Sequence, residues 1–485
     1  MEKRIRDLSR RELLKLFGIS VGASIAGQAT WPLKVEAQSS KITPLKCARN
    51  VVVIQNGGAM SPWETIDFKE TKWTAKDLDI QKISPELYLS KTLFPQGYKV
   101  WGPRASFVRS IRGVGLVHFP AQYHTQAGRP LNTAIVREIP ALGSIVAKEL
   151  ESERRESDTF PTYMSFDLWN IRCPQIGSGM LPPRFAGLDI NSNSVFNSFG
   201  GGEESSSSAA VLSERWEMLG RWAEVSGFGD GRLGPKAEEY QSSYEYAIRI
   251  LKDPRFKKVL AVTEEEKKRY GVAQDIGTTK LGLSFLLARN VLAADAGARM
   301  LWIANGFQGG NGVFDNHSNL YGRGKTAAGG ALPIYESCPR LDRALSSFIE
   351  DLIAMPGHEK GKSMLDETLV VLAHEFGRTP EMNAAAGRDH FGDHYTNMFL
   401  GGGVKPGRSI GKTDETGAKL LDLGWKFKEQ PMWDHVTSTI YSALGIDYSK
   451  KIENTPSGRA YEYQQTAPLG GPKFIPRTDI QELFV

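Results

Sequence analysis

The sequence predicts an α/β fold in which helices flank one mostly parallel sheet. Short apolar runs alternate with amphipathic helical patterns from residue 50 to residue 445. Such alternation is typical of parallel strands that are joined by helices. The chain has 485 residues, of which 40% are hydrophobic, and this is an ordinary composition for a globular protein. Length alone would allow two or three domains, but the alternation favours a single sheet threaded by the whole chain.

Three of the apolar runs end in segments rich in glycine or polar side chains. They are NVVVIQ (residues 50–55), ARMLWIA (residues 298–304) and TLVVLA (residues 368–373). Continuous apolar runs of this length are typical of strands buried on both faces. In open α/β sheets, ligands bind in the crevice outside the carboxyl ends of the strands. We therefore expect the functional site where these three runs end.

Four segments have the three- and four-residue apolar spacing of helices that pack on one face. They are PALGSIVAKELES from Pro140, TKLGLSFLLARNVLAADAG up to Gly297, LDRALSSFIEDLIAM from Leu341, and WDHVTSTIYSALG from Trp433. We expect them to cover the sheet.

The amino terminus has the pattern of a twin-arginine export signal. Residues 9–15 read SRRELLK, and the moderately apolar LFGISVGASIAG follows. Small residues at Val35 and Ala37 predict cleavage near Gln38, so residues 1–37 would be removed. The apolar stretch is too short for a stable transmembrane anchor. The alternative is an ordinary amphipathic helix, but the pattern favours a bacterial periplasmic or secreted protein that the twin-arginine translocase exports.

Residues 38–485 are predicted to form a single domain. Residues 200–213, GGGEESSSSAAVLS, have the composition of a flexible loop, and a charged helical region follows them. Together, residues 200–270 are a candidate cap or insertion.

Charge and cysteine content exclude two classes of function. Residues 1–37 hold seven basic and four acidic residues, so the net charge falls from +5 to +2 without them. No basic stripe with interleaved aromatic residues is present, which argues against nucleic-acid binding. Cys47, Cys173 and Cys338 are far apart, which argues against thiolate zinc ligation and an iron–sulfur cluster. At most one disulfide is available to them.

Residues 374–394, HEFGRTPEMNAAAGRDHFGDH, concentrate imidazole and carboxylate groups and include three of the eight histidines. This mixture suits zinc, manganese or iron, or calcium and magnesium if carboxylates dominate. Asp389, His390 and His394 are the strongest candidate ligands, because four residues separate the histidines and a helical turn would place them on one face. The alternative is a polar surface loop.

Further candidate ligands follow the second and third apolar runs. Asp315 and His317 can converge on one ion if their segment is extended or looped; the alternative is a turn aspartate and a packed surface histidine. Glu375 is either a ligand or the partner of Arg378 in a structural ion pair. Asp393 is a candidate orienter of a histidine.

Several motifs in chain order resemble one known family. They are HFPAQYHTQAG, LGSIVAKEL, FDNHSN, LDRALSSFIEDL, LDETLVVLAHEFGRTP, GRDH, GGGV and ALGID. With these motifs the chain resembles the twin-arginine-exported DUF1501 proteins, a domain of unknown function grouped with the alkaline phosphatase-like superfamily. The resemblance covers nearly all of residues 38–485, and LVVLAHEFGRTP followed by GRDH is its specific signature.

The resemblance implies a three-layer α/β/α sandwich like those of alkaline phosphatases and sulfatases. Such enzymes hydrolyse phosphate or sulfate esters with a nucleophile that faces one or two divalent cations at the strand ends. It therefore implies a small anionic ester as substrate. The identity of the metal stays open among zinc, manganese, calcium and magnesium.

The chain departs from the family pattern after the first strand. Pro62 and Glu64 stand where many members have histidine and aspartate, and Gln55 and Asn56 stand where active phosphatases have an aspartate. Downstream, His374 replaces a usual glycine and adds a candidate ligand. Asn56 and His374 are therefore candidates for the site whose roles stay open.

Ser61 is the candidate nucleophile, because it follows the first strand in a glycine-introduced turn. The alternative is a serine that caps this turn. Arg378 has a rigid fork able to clamp two oxygens of a tetrahedral oxyanion, unless it pairs with Glu375. His118 and His124 are interpreted as packing residues.

Two functions follow. One is a periplasmic metal-dependent hydrolase of phosphate or sulfate esters. The other is a binding or assembly protein on the same fold, with a decayed or single-metal site.

Overall fold

The computed structural model describes residues 42–175, 177–193, 249–275, 280–306, 312–322, 331–453, 455–465 and 476–484, with five single residues between 214 and 221. The candidate export signal, residues 1–37, and the tract at residues 200–213 lie outside the described residues. Residues from Ile42 onward form one compact unit.

The strands of the described residues are numbered in chain order. They are β1 Asn50–Asn56, β2 Ile80–Ser84, β3 Leu87–Ser90, β4 Ser106–Ile111, β5 Tyr163–Phe166, β6 Leu188–Ile190, β7 Met300–Asn305, β8 Thr368–Ala373, β9 Gly377–Arg378, β10 His390–Phe391, β11 Tyr395–Leu400, β12 Ser409–Ile410, β13 Lys412–Thr413, β14 Leu420–Asp422, β15 Lys451–Ile452 and β16 Tyr461–Glu462.

Eight of these strands form a central sheet in the order β12-β4-β11-β8-β1-β7-β5-β6. β1 pairs in parallel with β7 and β8, and Gln55 is level with Ala304 and Ala373. The carboxyl ends of the three predicted strands therefore coincide. β11 is antiparallel to β8 and β4, whereas the other pairings in this sheet are parallel. The prediction of a mostly parallel sheet is confirmed.

The helices of the described residues are α1 His118–Ala127, α2 Leu142–Glu149, α3 Pro254–Leu260, α4 Glu264–Tyr270, α5 Leu281–Ala294, α6 Ile334–Ala354 and α7 Trp433–Ala443. All four predicted helical segments are present. However, α6 begins at Ile334 and contains Pro339, so it starts before the segment predicted from Leu341. A proline inside a helix removes one backbone hydrogen bond, but packing of the long apolar face maintains the helix.

Helices cover both faces of the sheet. On β1, Val52 and Ile54 face one core, which they share with α5 and α6. Val51 and Val53 face a second core, shared with α2 and α7. Burying each such side chain contributes roughly 1.5–3 kcal/mol. The predicted three-layer α/β/α sandwich is confirmed.

Part of the candidate cap belongs to the helical layer. Phe256 and Val259 of α3 and Tyr270 of α4 lie in the same core as α5 and α6. Residues 249–270 therefore pack on the body of the protein. A cap formed by the preceding residues stays a prediction.

All three cysteines are free thiols. Burial raises the pKa of Cys47 and of Cys173 to about 11. They are therefore protonated and unreactive at neutral pH.

Among the described residues, no helix is both long and apolar enough to cross a membrane.

His435 is a buried, neutral histidine whose titration should be visible in the stability of the fold. Burial lowers the pKa of His435 to about 4, against an opposing effect of Asp434. As the pH falls, the unfolded chain therefore takes up this proton first, and stability is lost between the ordinary pKa of about 6.5 and the folded value. Between pH 6.5 and pH 5 we expect the wild type to lose about 2 kcal/mol more than His435→Gln. Urea unfolding at both pH values measures this, with half-exposed His358→Gln as control; equal losses in wild type and His435→Gln would contradict it.

Candidate metal centre

The candidate site lies at the carboxyl ends of β1, β7 and β8. Gly57 and Gly58 follow β1, and Gly58 has a φ of +91°. A Cβ on Gly58 would lie 2.3 Å from the backbone nitrogen of Asp315, which belongs to the loop after β7. Glycine therefore allows the two loops to approach and brings Asp315 to the end of β1.

Two further segments complete the site. β9 and β10 form an antiparallel ribbon that places His390 opposite Arg378. Helix α1 begins at His118, and this end of the helix faces the same crevice, where His118 contacts Glu375.

Four side chains converge here. One potential ligand atom from each of His118, Asp315, His317 and His390 lies within 4.8 Å of the others. We call these four residues the metal group. His118 and Asp315 are buried, whereas the side chain of His317 is 43% exposed, so a ligand can reach the group from solvent.

The three histidines surround one carboxylate oxygen. The Nε2 atoms of His118 and His317 lie 3.2 Å from Asp315 Oδ1, and that of His390 lies 3.4 Å from it. The Nε2 atoms of His317 and His390 are themselves 2.9 Å apart.

The opposite ring nitrogens are each held by an oxygen acceptor. Nδ1 of His118 lies 2.5 Å from Glu375 Oε1, and Nδ1 of His317 lies 2.8 Å from Asp389 Oδ1. Nδ1 of His390 lies 2.6 Å from the carbonyl oxygen of Leu116. Since these oxygens can only accept, we assign the ring protons to Nδ1. The lone pairs on Nε2 therefore point into the group, as they do in histidines that bind metals.

This arrangement of inward-facing nitrogen and oxygen atoms favours a bound cation. Lone pairs on neighbouring Nε2 atoms repel one another and the carboxylate unless a proton or a cation lies among them, and Arg378 meets this need only in part, at 3.4 Å from His317 Nε2 and 2.6 Å from Asp315 Oδ1. Buried atoms His118 Nε2 and Glu375 Oε2 also lack a hydrogen-bond partner among the described residues. Three imidazoles and one carboxylate are a donor set typical of a transition-metal site. The residues therefore fit a divalent metal.

The charges of Asp315 and His118 stabilise each other in the metal group. Burial favours the neutral form, but the close imidazoles of His118 and His390 and the charge of Arg378 hold the pKa of Asp315 far below its usual value. Burial is likewise outweighed at His118, where Asp315 and Glu375 raise the pKa to about 9. A proton on His118 Nε2 would therefore compete with a metal ion.

Arg378 lies beneath the group and is almost fully buried. Its Nη2 donates to Asp315 Oδ1 at 2.6 Å and to the carbonyl of Gly58, and its Nη1 donates to the carbonyl of Arg388. The guanidinium thus pairs with Asp315 and not with Glu375, the partner considered from the sequence. In this conformation it has no exposed edge for an oxyanion.

Glu375 and Asp389 lie just outside the group. Glu375 Oε1 contacts His118 and accepts a hydrogen bond from the backbone nitrogen of Gly58 at 3.2 Å. Asp389 contacts His317 and accepts from Asn383 at 3.0 Å. Both were candidate ligands, and both lie where they orient a histidine.

The structure places other candidate ligands elsewhere. His394 Nε2 contacts the carbonyl of Gly417. Asp393, the candidate orienter of a histidine, is exposed. The predicted helical turn is wrong: His390 lies in β10 and β11 begins at Tyr395, so His390 and His394 diverge. Instead of a helical turn, His390 and Phe391 form strand β10, which pairs with β9.

His374 and Asn56 form a separate buried network at the strand ends. Nδ1 of His374 lies 2.9 Å from the carbonyl of Thr396, and its Nε2 faces the amide of Asn56 at 3.3 Å. Asn56 in turn accepts from Asn305 at 3.0 Å. Burial lowers the pKa of His374 to about 4, so this histidine is neutral. It supports the sheet end beside the metal group.

Ser61 is buried, and its hydroxyl donates to the carboxylate of Glu64. Although Ser61 precedes a short 3-10 helix, its side chain does not cap that helix. Glu64 is also fully buried and accepts from Arg388 Nε at 3.0 Å and from Tyr321 at 2.9 Å. The candidate nucleophile Ser61 therefore donates a hydrogen bond to the carboxylate of Glu64, which also pairs with Arg388.

His118 is the site residue that the sequence interpretation missed. Its position among apolar residues favoured a packing role, whereas the fold brings it against Asp315 and Glu375. The sequence signal that could have identified His118 is the motif HFPAQYHTQAG, which contributes to the family resemblance.

The family model described as "Protein of unknown function (DUF1501)" matches residues 48–467. The chain belongs to the DUF1501 family. No curated protein sequence matches this DUF1501 member.

Solved structures that resemble this DUF1501 member include the lipoteichoic acid synthase LtaP from Listeria monocytogenes, with 10% identity over 87% of this chain and 75% of that chain and a TM-score of 0.37. The PsFucS1 sulfatase from Pseudoalteromonas sp. has 12% identity over 82% and 68% of the chains and a TM-score of 0.35. Phosphonate monoester hydrolase SpPMH from Silicibacter pomeroyi has 10% identity over 82% and 73% of the chains and a TM-score of 0.37. At such identities the likeness concerns the fold alone.

Proposed function

We propose that this protein is a periplasmic metal-dependent hydrolase of phosphate or sulfate esters. The observation that carries the proposal is the metal group, whose three histidines present Nε2 atoms to one oxygen of Asp315. Partners on each Nδ1 hold the rings in this orientation. Such preorganisation is what a bound cation requires.

His118, Asp315, His317 and His390 would hold the metal ion. A set of three nitrogens and one oxygen favours zinc, manganese or iron over calcium and magnesium, which prefer oxygen ligands. When bound, the ion supplies Lewis-acid polarisation of an ester oxygen and lowers the pKa of a nearby hydroxyl or water. Export by the twin-arginine translocase, which the amino-terminal pattern predicts, would let the ion bind before the folded protein crosses the membrane.

Ser61 is the proposed nucleophile, with a water molecule as the alternative. In the serine route, Ser61 Oγ forms a bond to phosphorus or sulfur while the bond from that atom to the alcohol oxygen breaks; Glu64 accepts the serine proton, and the leaving alkoxide takes a proton from water. The hydrogen bond from Ser61 to Glu64 supports this route. A water molecule then hydrolyses the ester formed on Ser61, which returns the free enzyme.

A second candidate function is a non-catalytic binding or assembly protein that holds one structural ion. The environment of Arg378 favours it, since that arginine is buried and bonded to Asp315 and to backbone carbonyls. An enzyme of this class needs a cationic group free to meet the ester oxygens. In the hydrolase, this task therefore falls to the metal ion.

Metal content of the purified, folded protein tests the proposal. We expect a stoichiometric divalent metal in the wild type and its loss in His390→Ala, because this change removes one inward-facing Nε2. His358→Ala is the matched control, since His358 pairs with Asp295 and Glu367 outside the metal group. Elemental analysis of the three proteins measures the result, and absence of metal from wild type and control would overturn the metalloenzyme.

Aryl phosphates and aryl sulfates, offered to the metal-loaded protein, then distinguish the two functions. The hydrolase should release the phenol, and Ser61→Ala should abolish turnover while retaining the metal. Metal without any turnover would favour the structural ion. Turnover that persists in Ser61→Ala would assign the attack to water.

A further inference from the structure

A cavity adjoins the metal group on the side of α1. Its volume is about 440 Å³, within the range of about 300–1,000 Å³ that small-molecule sites occupy. Pro120 and Thr125 of α1, Leu131 and Asn132 of the following loop, and Trp433 at the start of α7 line it. Glu375 lines it too, and the same carboxylate holds His118 of the metal group. A ligand in the cavity is therefore one side chain away from the candidate metal ligands.

The segment at residues 114–121, which supplies part of the cavity lining, exposes several apolar side chains. Val114, which lines the cavity, Leu116, Val117 and Phe119 are all at least 45% exposed, although they are large hydrophobic residues. The carbonyl of Leu116 accepts the hydrogen bond from His390. A cluster of exposed apolar side chains around a pocket is typical of a ligand-binding mouth. The same segment thus lines part of the cavity and contacts the metal group.

Charge in the cavity does not favour an anion. Among the described residues that line it, none is lysine or arginine, and Glu375 contributes a carboxylate and His124 an imidazole. His124 is itself paired with the buried carboxylate of Asp434 at 2.8 Å. An anionic ligand would therefore meet the carboxylate of Glu375 and no compensating lysine or arginine.

Polar contacts in the cavity suit an uncharged oxygen. The indole nitrogen of Trp433 is buried and has no hydrogen-bond partner among the described residues. A buried indole N–H normally finds an acceptor, and its ring offers a flat apolar surface. Asn132 and Thr133 add an amide and a hydroxyl nearer the solvent. The lining thus combines an aromatic face with neutral hydrogen-bonding groups.

We propose that this cavity binds an uncharged organic group that carries hydroxyl or ether oxygens, such as an aryl glycoside. That the cavity holds the alcohol portion of an ester substrate rests on the proposed function. The ester anion would then lie at the metal group and the neutral alcohol in the cavity. Esters of neutral alcohols are therefore the substrate class, and alcohols that carry further negative charge are excluded.

Two matched probes test the cavity without any turnover. Phenyl β-glucoside and phenyl β-glucuronide share one scaffold and differ by a carboxylate. We expect saturation-transfer NMR to show that the glucoside binds about tenfold more tightly, which corresponds to about 1.4 kcal/mol. Trp433→Phe should weaken glucoside binding, whereas Trp169→Phe, which alters an exposed tryptophan outside the cavity lining, should not.

A positive charge introduced into the cavity lining provides a second variant. Thr133 is exposed, so Thr133→Arg should fold normally and should improve glucuronide binding relative to glucoside binding. Equal or tighter binding of the glucuronide by the wild type would overturn the inference, as would binding that Trp433→Phe leaves unchanged.

His390→Ala separates this inference from the proposed function. This variant should lose the metal but keep the glucoside, because His390 does not line the cavity. Glucoside binding in a wild type that holds no metal would support the cavity and overturn the hydrolase. A metal-loaded hydrolase that does not bind the glucoside would overturn the cavity alone.

Discussion

Asp315→Asn is expected to cost more stability than any other single change at the metal group. Its carboxylate is the counter-charge of the buried Arg378 and the oxygen around which three histidine nitrogens gather. Removing one partner of a buried ion pair costs about 3–5 kcal/mol, because the other charge stays buried without compensation. The variant should also lose the metal. Urea unfolding and elemental analysis measure the two losses.

Asp389→Asn is the matched control for this prediction. Asp389 also contacts a histidine of the group, but its side chain is 54% exposed. Its loss should change the free energy of unfolding by no more than about 0.5 kcal/mol, while metal affinity falls by roughly 10–100-fold. Similar stability losses in both variants would show that Asp315 has no special structural role.

Gly58→Ala is expected to disrupt the site through the backbone. A Cβ at this position would lie 2.3 Å from the backbone nitrogen of Asp315 and 2.7 Å from the carbonyl carbon of Phe314. Neither atom can move without shifting the loop that carries Asp315 and His317. We therefore expect the variant to lose the metal and to unfold at lower urea concentration.

Gly361→Ala separates steric overlap from backbone strain. Gly361 has a φ of +86°, close to the +91° of Gly58, but a Cβ there would meet nothing within 4 Å. Both variants carry the strain of a positive φ, about 1–3 kcal/mol. Gly58→Ala should cost about 1–3 kcal/mol more, because overpacking is added. Equal costs, with the metal retained in both, would contradict the crowding inferred at Gly58.

The sequence predicted the sheet and the edge at which the site lies. Apolar runs at β1, β7 and β8 are long and uninterrupted, and local pattern is sufficient to identify such strands. Asp315 and His317 were identified as candidate ligands because they follow one of these strands closely. Their convergence needed only a looped segment, which the glycines nearby favour.

Partners from distant segments could not be predicted in the same way. His118 joins the group through the position of α1, which no local spacing encodes. His390 and His394 were expected together on a helical turn, but pairing of β10 with β9 made the segment extended. Arg378 pairs with Asp315 across the crevice, and its neighbour in sequence, Glu375, takes His118 instead. Tertiary contacts decided each of these three cases.

The hydrogen bond between His390 and Leu116 joins residues that are 274 positions apart in the chain. A ribosome must therefore complete β10 before the four ligands can exist together, and every shorter nascent chain lacks a ligand. Under the proposed function, metal binding would therefore come after β10 is made. A chain that stalls or misfolds earlier would remain without metal, so that occupancy of the site can serve as a marker that the chain has folded as far as β10.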